Sequence, residues 1–472
     1  NNCKGIMARE RDILNVWFDS GIAPWASLGY PFKNKALFES MFPVDLINES
    51  QDQIRGWFDS LMFTSVGLFG KSPYKSVAMM GWVLDEKGEK MSKSLGNVIP
   101  AIEGIDKLSA DVIRMYYCYE IAPWEVQKFS FKTAEEVKRA FAILFNTFAF
   151  YKTYSEKIKI PEFETSNLKL EDKWIIGKLN ILKQQSIDSI EKFEMNLVGR
   201  EMVRFVVDDF SRTYIKLIRD RVSDEGLGAD KLTCLSVIRK VLLEYSMLIA
   251  PISPYISEYL YQQLKVHGKE SVHYEDFPKM DEKLVDVELI GAFSVVSKVS
   301  EAANSLRQEL KLKLRWPVEE ILVSGDEKTQ NAVEMLSDVL ESYCNAKTVE
   351  IGENNEYGKK EFDGGFVCIP KTLSEKMIIS SILREASRAI QAERKKDGFV
   401  VNEKISLTIN FNDAKVREAF AGMKIDLANE VGASTVDLKM LDSELLGDHQ
   451  IELDLNELKA GLKVRAKFSK AK

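Results

Sequence analysis

The amino-acid sequence predicts a multidomain protein in which an α/β region is followed by an all-α bundle and then by a smaller α+β region. Its 472 residues are enough for about three domains at roughly 150 residues each. Hydrophobic residues make up 45% of the chain and charged residues 29%, which excludes a disordered or collagen-like chain. The hydrophobic periodicity changes twice, so we place the three regions at residues 1–130, 131–280 and 281–472.

The first region alternates short apolar runs with glycine, proline and helical stretches. The runs cover residues 13–18, 44–47 and 77–84, and residues 54–69 have helical spacing. This alternation is typical of an α/β sheet.

The other two regions differ in their periodicity. From about residue 132 to 267, apolar residues recur every three or four positions, which predicts a helical bundle. The α+β interpretation of the third region depends on two predicted helices and two strand-like runs, at residues 288–310, 373–396, 319–323 and 405–409.

Charge and cysteine content exclude several classes of protein. The formal net charge is −7, so nucleic-acid contacts must come from local basic patches on an acidic body. No run of about 18 uncharged apolar residues occurs, and we expect no membrane partner. Five scattered cysteines without a Cys-x-x-Cys pair predict thiols in a reducing cytoplasm and no protein-bound zinc.

The start of the chain looks like a cut. Asn1 is followed neither by an initiator methionine nor by a leader-like segment. Cys3 therefore has an alternative interpretation, as the remainder of a cysteine pair located further upstream.

The most informative segment extends from Gly81 to Ile99. It predicts a strand, a glycine-containing turn and a mobile loop in which Lys90 and Lys93 are separated by two residues, with hydroxyls between and after them. Two ammonium groups beside a pyrophosphate leaving group stabilise the charge that grows in the transition state, without acting as nucleophiles. A Lys-x-x-Lys pair by itself is more often a solvated surface loop.

The complete string Lys-Met-Ser-Lys-Ser-Leu-Gly-Asn resembles the signature loop of class I aminoacyl-tRNA synthetases. In that family the loop follows the last part of a Rossmann-like catalytic domain and contacts ATP. The resemblance implies ATP with Mg²⁺ as cofactor and catalytic roles for Lys90 and Lys93. It places Met91, Ser92 and Ser94 with them at the ATP site, and no protein-held metal is predicted.

Two upstream segments resemble the Leu/Ile/Val subgroup of this family. Residues 12–21 resemble the stretch by which the chain re-enters the catalytic domain after the inserted editing domain, with Asn15 where aspartate is usual. Residues 49–58 resemble the substrate pocket of the isoleucyl enzymes, with Ser50 where glycine is usual.

The second of these segments contains the predicted aminoacyl-adenylate contacts. Gln53 and Trp57, at positions i and i+4, are predicted to share one face of a helix. An indole wall there would pack against a branched aliphatic substrate, and the amide would bind polar atoms of the adenylate. The resemblance adds Glu49 as a further contact. Taken alone, Trp57 is equally well interpreted as a core residue.

The predicted helix over residues 201–221 has a basic side. Arg212, Lys216 and Arg219 cluster there, opposite an apolar face, and Arg200, Arg204 and Arg221 extend the edge. Such a stripe is a candidate contact for RNA phosphates. The alternative is a solvated face whose cations pair with neighbouring aspartates.

Several later segments resemble the RNA-binding half of the Leu/Ile/Val synthetases. Residues 208–216 and 250–258 resemble the anticodon-binding bundle, and residues 312–317 and 390–396 resemble the tail of archaeal and eukaryotic-type isoleucyl enzymes. The last segment, residues 459–472, contains six lysines and arginines. We interpret it as a frayed solvated end, with a tRNA contact as the alternative, and by resemblance the region of residues 281–472 is expected to contact tRNA.

One motif of the family is missing from the sequence. His267, His273 and His449 are the only histidines, and none belongs to a His-x-Gly-His motif. The editing domain is also absent. We therefore predict the C-terminal half of an isoleucine-tRNA ligase, either as a fragment of a longer gene product or as one subunit of a split enzyme with an N-terminal half as its partner chain. The partners of the complete enzyme are tRNA-Ile, isoleucine and ATP. The alternatives are a valyl or leucyl enzyme, or a non-catalytic tRNA-binding module.

Overall fold

A computed structural model describes residues 5, 6, 8, 11, 15–223, 228–399, 403–441, 450–455, 458 and 461–470. The chain divides into two compact units. One unit comprises residues 1–167 and 175–285, and the other comprises residues 168–174 and 286–472. Cys3 and His449 lie outside the described residues. The three-domain division stays a prediction.

The first unit begins with an α/β part. Its elements are α1 (Val16–Gly21), α2 (Ala23–Ala26), α3 (Lys35–Met41), β1 (Val44–Ser50), α4 (Trp57–Phe69), β2 (Tyr74–Met80), β3 (Val83–Leu84), α5 (Ala101–Leu108), α6 (Ala110–Tyr117) and β4 (Gln127–Lys128). Strands β1 and β2 are parallel neighbours, and so are β3 and β4. The α/β prediction is confirmed, with α4 connecting β1 to β2.

The predicted run over residues 13–18 is not a strand where the structure describes it. Residues 16–18 are helical, because the side-chain oxygen of Asn15 accepts a hydrogen bond from the backbone N–H of Trp17 at 2.9 Å and caps α1. Residues 12–14 lie outside the described residues. A short apolar run does not distinguish a strand from a buried helix by periodicity alone.

The remainder of the first unit is helical, as predicted. Its helices are α7 (Phe131–Ser155), α8 (Leu170–Glu191, from residue 175 onward in this unit), α9 (Met195–Arg204), a π-helix (Phe205–Ile215), α10 (Lys216–Ser223), α11 (Ala229–Ile249) and α12 (Pro254–Leu264). Stacked aromatic rings form part of the core, with Phe205 contacting both Phe210 and Tyr245 at centroid distances of 6.2 and 5.9 Å. The predicted helix over residues 201–221 is continuous, but half of it has π geometry.

The second unit contains two four-stranded sheets with helices. Its elements after residue 286 are α13 (Val287–Glu309), β5 (Val318–Gly325), α14 (Glu327–Cys344), β6 (Ala346–Ile351), β7 (Gly358–Phe362), β8 (Gly365–Ile369), α15 (Glu375–Lys396), β9 (Ile405–Phe411), α16 (Ala414–Gly422), α17 (Lys424–Val431), β10 (Ala433–Met440), β11 (Gln450–Asp454) and β12 (Lys463–Lys470). The strand orders are β6-β5-β8-β7 and β10-β9-β12-β11. The predicted α+β composition is confirmed.

The interpretation of residues 459–472 as a frayed end is wrong for the part that the structure describes. Residues 463–470 form β12, an inner strand that pairs with both β9 and β11. Val464, Ala466 and Phe468 are buried in the core beneath the sheet. The alternation of apolar and basic residues gives the strand one buried face and one polar face.

A buried arginine organises the start of the second unit. The side chain of Arg307 is inaccessible to solvent. It donates hydrogen bonds to the backbone oxygens of Cys344 and Lys313, both at 2.8 Å, and to that of Trp316. Burial lowers the pKa of Arg307 to about 10. One guanidinium thus connects α13 with the end of α14 and the turn before β5.

None of the helices within the described ranges combines the length and the apolar composition needed to cross a lipid bilayer.

Candidate functional site

The predicted site segments leave the sheet at one edge. Strands β1 and β2 end side by side, with Ser50 and Met80 as register partners. The proposed substrate segment follows β1, and the segment that leads to the signature loop, residues 90–97, follows β2. The carboxyl edge of a parallel sheet is where α/β proteins bind ligands. Gly81 is required directly after β2, since a Cβ atom there would lie 1.8 Å from the backbone oxygen of Glu125.

The geometry of Gln53 and Trp57 differs from the prediction. They do not share a continuous helix, because residues 51–55 form a 3₁₀ turn and Gly56 interrupts the chain before α4 begins. The side-chain oxygen of Gln53 accepts a hydrogen bond from the backbone N–H of Trp57 at 3.0 Å. Gln53 therefore caps α4 and satisfies an N–H that the helix leaves unpaired.

The ring of Trp57 is half-buried and contacts the small core around Ile47 and Phe58. Its indole N–H donates to the backbone oxygen of Ser20 at 2.9 Å, which connects α4 to α1. Glu49 lies exposed near the end of β1. The structure thus brings the three residues to the same strand end, and their contacts with an aminoacyl adenylate stay predictions.

The backbone of the signature loop is held in place by the side chains of Asp85, which precedes it, and Asn97, its last residue. The carboxylate of Asp85 accepts hydrogen bonds from the amide of Asn97 at 2.8 Å and from the backbone N–H of Glu89 at 2.7 Å. These two bonds lower the pKa of Asp85. The amide oxygen of Asn97 accepts from the N–H of Ser92 at 2.9 Å, and its nitrogen donates to the oxygen of Lys90 at 3.3 Å. These hydrogen bonds therefore give the loop a defined turn conformation.

The side chains of the loop point to different surroundings. Lys93 is exposed, and Lys90 lies with its Nζ 4.3 Å from the centroid of the Trp82 ring. Among the residues that the structure describes, no carboxylate pairs with either ammonium. The hydroxyls of Ser92 and Ser94 lie 3.1 Å apart. The arrangement leaves two cations and two hydroxyls available to a polyphosphate.

Met91 lines an apolar cavity of about 320 Å³. Ile105, Ile113, Arg114 and Tyr117 also line this cavity, which lies between the loop and helices α5 and α6. The placement favours packing over direct ligand contact for Met91, whose predicted role at the ATP site stays untested.

Helix α6 connects this region to the helical bundle through two residues that the sequence interpretation missed. The buried carboxylate of Asp111 accepts from the backbone N–H groups of Tyr255 and Ile256, at 3.3 and 2.6 Å. Arg114 donates to the backbone oxygens of Pro251 and Ile252, at 3.0 and 2.6 Å. We call these four bonds the α6 clamp. Its only sequence signal is a pair of opposite charges at i and i+3 on an otherwise apolar helix.

The predicted RNA-binding stripe is exposed in the structure. Arg212, Lys216 and Arg219 all lie on the surface of the π-helix and α10. Arg212 also pairs with Asp208, with 2.9 Å between nitrogen and oxygen. This pair is the one that the alternative interpretation anticipated, and surface pairs of this kind are weak enough to be replaced by a phosphate.

The three flanking arginines that extend the predicted stripe bind groups of the protein, and their contact with RNA stays a prediction. Arg200 donates to the backbone oxygen of Tyr119 at 2.9 Å. Arg204 forms ion pairs with Glu201 and Asp209, at 2.7 and 3.0 Å. The side chain of Arg221 is largely buried and forms an ion pair with Asp230 at 2.6 Å.

Cysteines and metal-binding groups give no second site within the described ranges. Cys118, Cys234, Cys344 and Cys368 are reduced thiols. Burial raises the pKa of Cys118 to about 11, so this thiol is not an activated nucleophile. Across the described part of the chain, no group of three or more His, Cys, Asp or Glu side chains is arranged to hold a metal ion.

Two families match separate parts of the chain. Residues 1–127 match the tRNA synthetases of class I (I, L, M and V). Residues 172–322 match the anticodon-binding domain of tRNA ligase.

Individual relatives agree with these two families. The isoleucine–tRNA ligase of Pyrococcus abyssi is 37% identical in an alignment that covers 87% of this chain and 45% of that protein. The isoleucine–tRNA ligase of Archaeoglobus fulgidus is also 37% identical, over 89% of this chain and 43% of that protein. The chain thus spans less than half the length of these curated relatives.

A solved structure has a similar fold. The LeuRS of Agrobacterium radiobacter K84, in a ternary complex with tRNA and LeuAMS, superposes with a TM-score of 0.50 and 18% identity over 61% of this chain and 35% of that one. With the archaeal relatives, the two family matches lead to one conclusion: the chain contains a class I tRNA synthetase domain followed by an anticodon-binding domain of tRNA ligase.

Proposed function

We propose that the chain is the C-terminal half of an isoleucine–tRNA ligase, which contributes the signature loop and an anticodon-binding bundle to the complete enzyme. One observation carries the proposal: the substrate segment and the loop segment follow two neighbouring parallel strands. The last residues of these strands, Ser50 and Met80, are register partners. The identity of 37% to archaeal isoleucine–tRNA ligases supports the choice of amino acid.

In the proposed reaction, the carboxylate of isoleucine attacks the α-phosphorus of ATP and pyrophosphate leaves. Lys93, with Lys90 assisting, would stabilise the negative charge that accumulates on the leaving pyrophosphate. Ser92 and Ser94 would donate hydrogen bonds to the same phosphates. Bound with ATP, Mg²⁺ would neutralise part of the phosphate charge. The resulting adenylate then transfers its aminoacyl group to a terminal ribose hydroxyl of tRNA-Ile, with release of AMP.

The exposed apolar surface of the α/β part supports an upstream partner half. Leu46, Val77 and Met79 on β1 and β2 remain more than a third exposed, and Phe63 on α4 is 81% exposed. Parallel sheets are normally covered on both faces. We infer that further strands and helices, with the His-x-Gly-His motif, cover this surface in the complete enzyme. The same proposal places the protein in the reducing cytoplasm.

The function is tested by joining the chain behind the part of the Pyrococcus abyssi ligase that precedes the matched region. We expect this joined enzyme to catalyse isoleucine-dependent exchange of pyrophosphate into ATP, and we expect the chain alone to show none. The two separate halves are the controls. Exchange that prefers valine or leucine would contradict the choice of isoleucine. Binding of tRNA without any exchange would favour a non-catalytic tRNA-binding module.

The RNA-binding stripe makes a separate prediction. Replacement of Arg219 by glutamine removes one exposed cation from α10, so the slope of log K for tRNA-Ile against log salt concentration should decrease by about 1. Binding titrations of the full chain at several salt concentrations measure this slope. Lys35→Gln, which removes the same charge from exposed helix α3, is the matched control. Equal slopes for Arg219→Gln and the unmodified chain would contradict the assignment.

A further inference from the structure

One contact of the signature loop has no role in the function proposed above: the ammonium of Lys90 lies over the ring of Trp82, 4.3 Å from its centroid. Cation–π pairs are significant at distances up to about 6 Å. In the part of the chain that the structure describes, Lys93 makes no such contact. The two lysines of the loop therefore have different surroundings before any substrate is bound.

The backbone on both sides of this pair is fixed. The oxygen of Trp82 accepts from the N–H of Gln127 at 2.8 Å, and the N–H of the preceding Gly81 donates to the backbone oxygen of Pro123 at 2.8 Å. The backbone of Lys90 forms an isolated antiparallel β-bridge with that of Leu84. Because both backbones are held, and because Lys90 is exposed whereas the indole nitrogen of Trp82 is buried, the pair opens most readily by rotation of the lysine side chain.

The pair is also weak enough to be exchanged. The indole nitrogen of Trp82 is buried without a hydrogen-bond partner among the described residues, so the ring offers the lysine its π face alone. Exposed cation–π contacts are weaker than charge-assisted hydrogen bonds between an ammonium and a phosphate. A polyphosphate that enters the site would therefore displace the ring as the partner of Lys90.

We propose that Trp82 is a positioning residue that holds Lys90 in a resting place beside the phosphate site until ATP binds. The proposal deepens the function proposed above and depends on it for the identity of the incoming phosphate. It assigns the two lysines different roles: Lys93 is accessible to the phosphates before ATP binds, whereas Lys90 leaves the Trp82 ring when ATP binds.

The test is the rate at which an acetylating reagent labels each lysine of the full chain, measured on loop peptides by mass spectrometry. In Trp82→Leu we expect the ratio of Lys90 to Lys93 labelling to rise about threefold, the equivalent of an exposed cation–π contact. Trp82→Phe keeps a ring and should give a smaller rise. Trp124→Leu, which removes an indole that is 54% exposed, should leave the ratio unchanged.

Lys93 serves as the internal control for folding, because general opening of the loop raises both rates together. A ratio that stays at the unmodified value in both Trp82 variants would overturn the resting contact. In the joined enzyme, ATP with Mg²⁺ should slow the labelling of both lysines. If the Trp82 variants raise the ratio of Lys90 to Lys93 labelling but ATP with Mg²⁺ does not slow the labelling, the proposed function and the transfer of Lys90 from the ring to ATP are both contradicted. Intact protection with an unchanged ratio would count against the resting contact alone.

Discussion

Lys93→Ala is expected to lower isoleucine-dependent pyrophosphate exchange by the joined enzyme about 10²- to 10³-fold, the usual effect of removing one group that stabilises transition-state charge. Lys93 is exposed on the signature loop, and among the described residues it has no carboxylate partner that would compete for its charge. The substitution removes the cation that would lie beside the leaving pyrophosphate, and it does not remove a packing contact.

Steady-state exchange measures this effect, and Lys93→Arg is the matched variant because it keeps the positive charge on a long, flexible side chain. We expect Lys93→Arg to retain more activity than Lys93→Ala. Thermal unfolding should be the same for both variants. A loss smaller than about tenfold in Lys93→Ala would contradict the assignment of Lys93 to the phosphates of ATP.

Arg307→Leu is expected to destabilise the second unit by about 3–5 kcal/mol, since each buried acceptor that loses its hydrogen-bond donor costs roughly 1–3 kcal/mol. The substitution leaves the backbone oxygens of Cys344, Lys313 and Trp316 without their guanidinium donor. Buried acceptors without partners are costly because water cannot replace the lost hydrogen bonds.

Hydrogen exchange of the full chain, followed on peptides from α14 and β5, measures this loss without interference from the first unit. Arg384→Leu is the control, because Arg384 is exposed and donates to the side chain of Asn345 at 2.7 Å. Its replacement should change stability by about 0.5 kcal/mol or less. Equal protection in Arg307→Leu and Arg384→Leu would show that Arg307 does not hold these elements together.

Local sequence patterns predicted the parts of the molecule whose contacts are close in sequence. Helices α13 and α15 and strands β5 and β9 follow from their hydrophobic periodicity. The signature loop is contiguous, so its residues could be identified together. Residues 463–470 alternate between apolar and basic types in the sequence, and this period of two is typical of a strand. Their high charge is typical of a solvated end, which led to the wrong prediction.

The remaining features depend on contacts that no local pattern contains. Gln53 and Trp57 have helical spacing, yet the break at Gly56 turns the first into a cap for the helix that contains the second. Arg307 occupies a position in an ordinary amphipathic helix, and its acceptors belong to three other residues. Asp111 binds backbone groups 144 and 145 positions away, a separation beyond any periodicity argument.

The α6 clamp has a consequence for how this polypeptide can be divided. Asp111 provides the acceptors for the first N–H groups of α12, and Arg114 provides the donors for the carbonyls that precede it. A bundle expressed from residue 131 onward would lack the Asp111 acceptors at the start of α12 and the Arg114 donors to the carbonyls of Pro251 and Ile252. The shortest fragment that retains these bonds starts before Ala110, so the boundary for protein expression lies inside the region that the sequence assigns to catalysis.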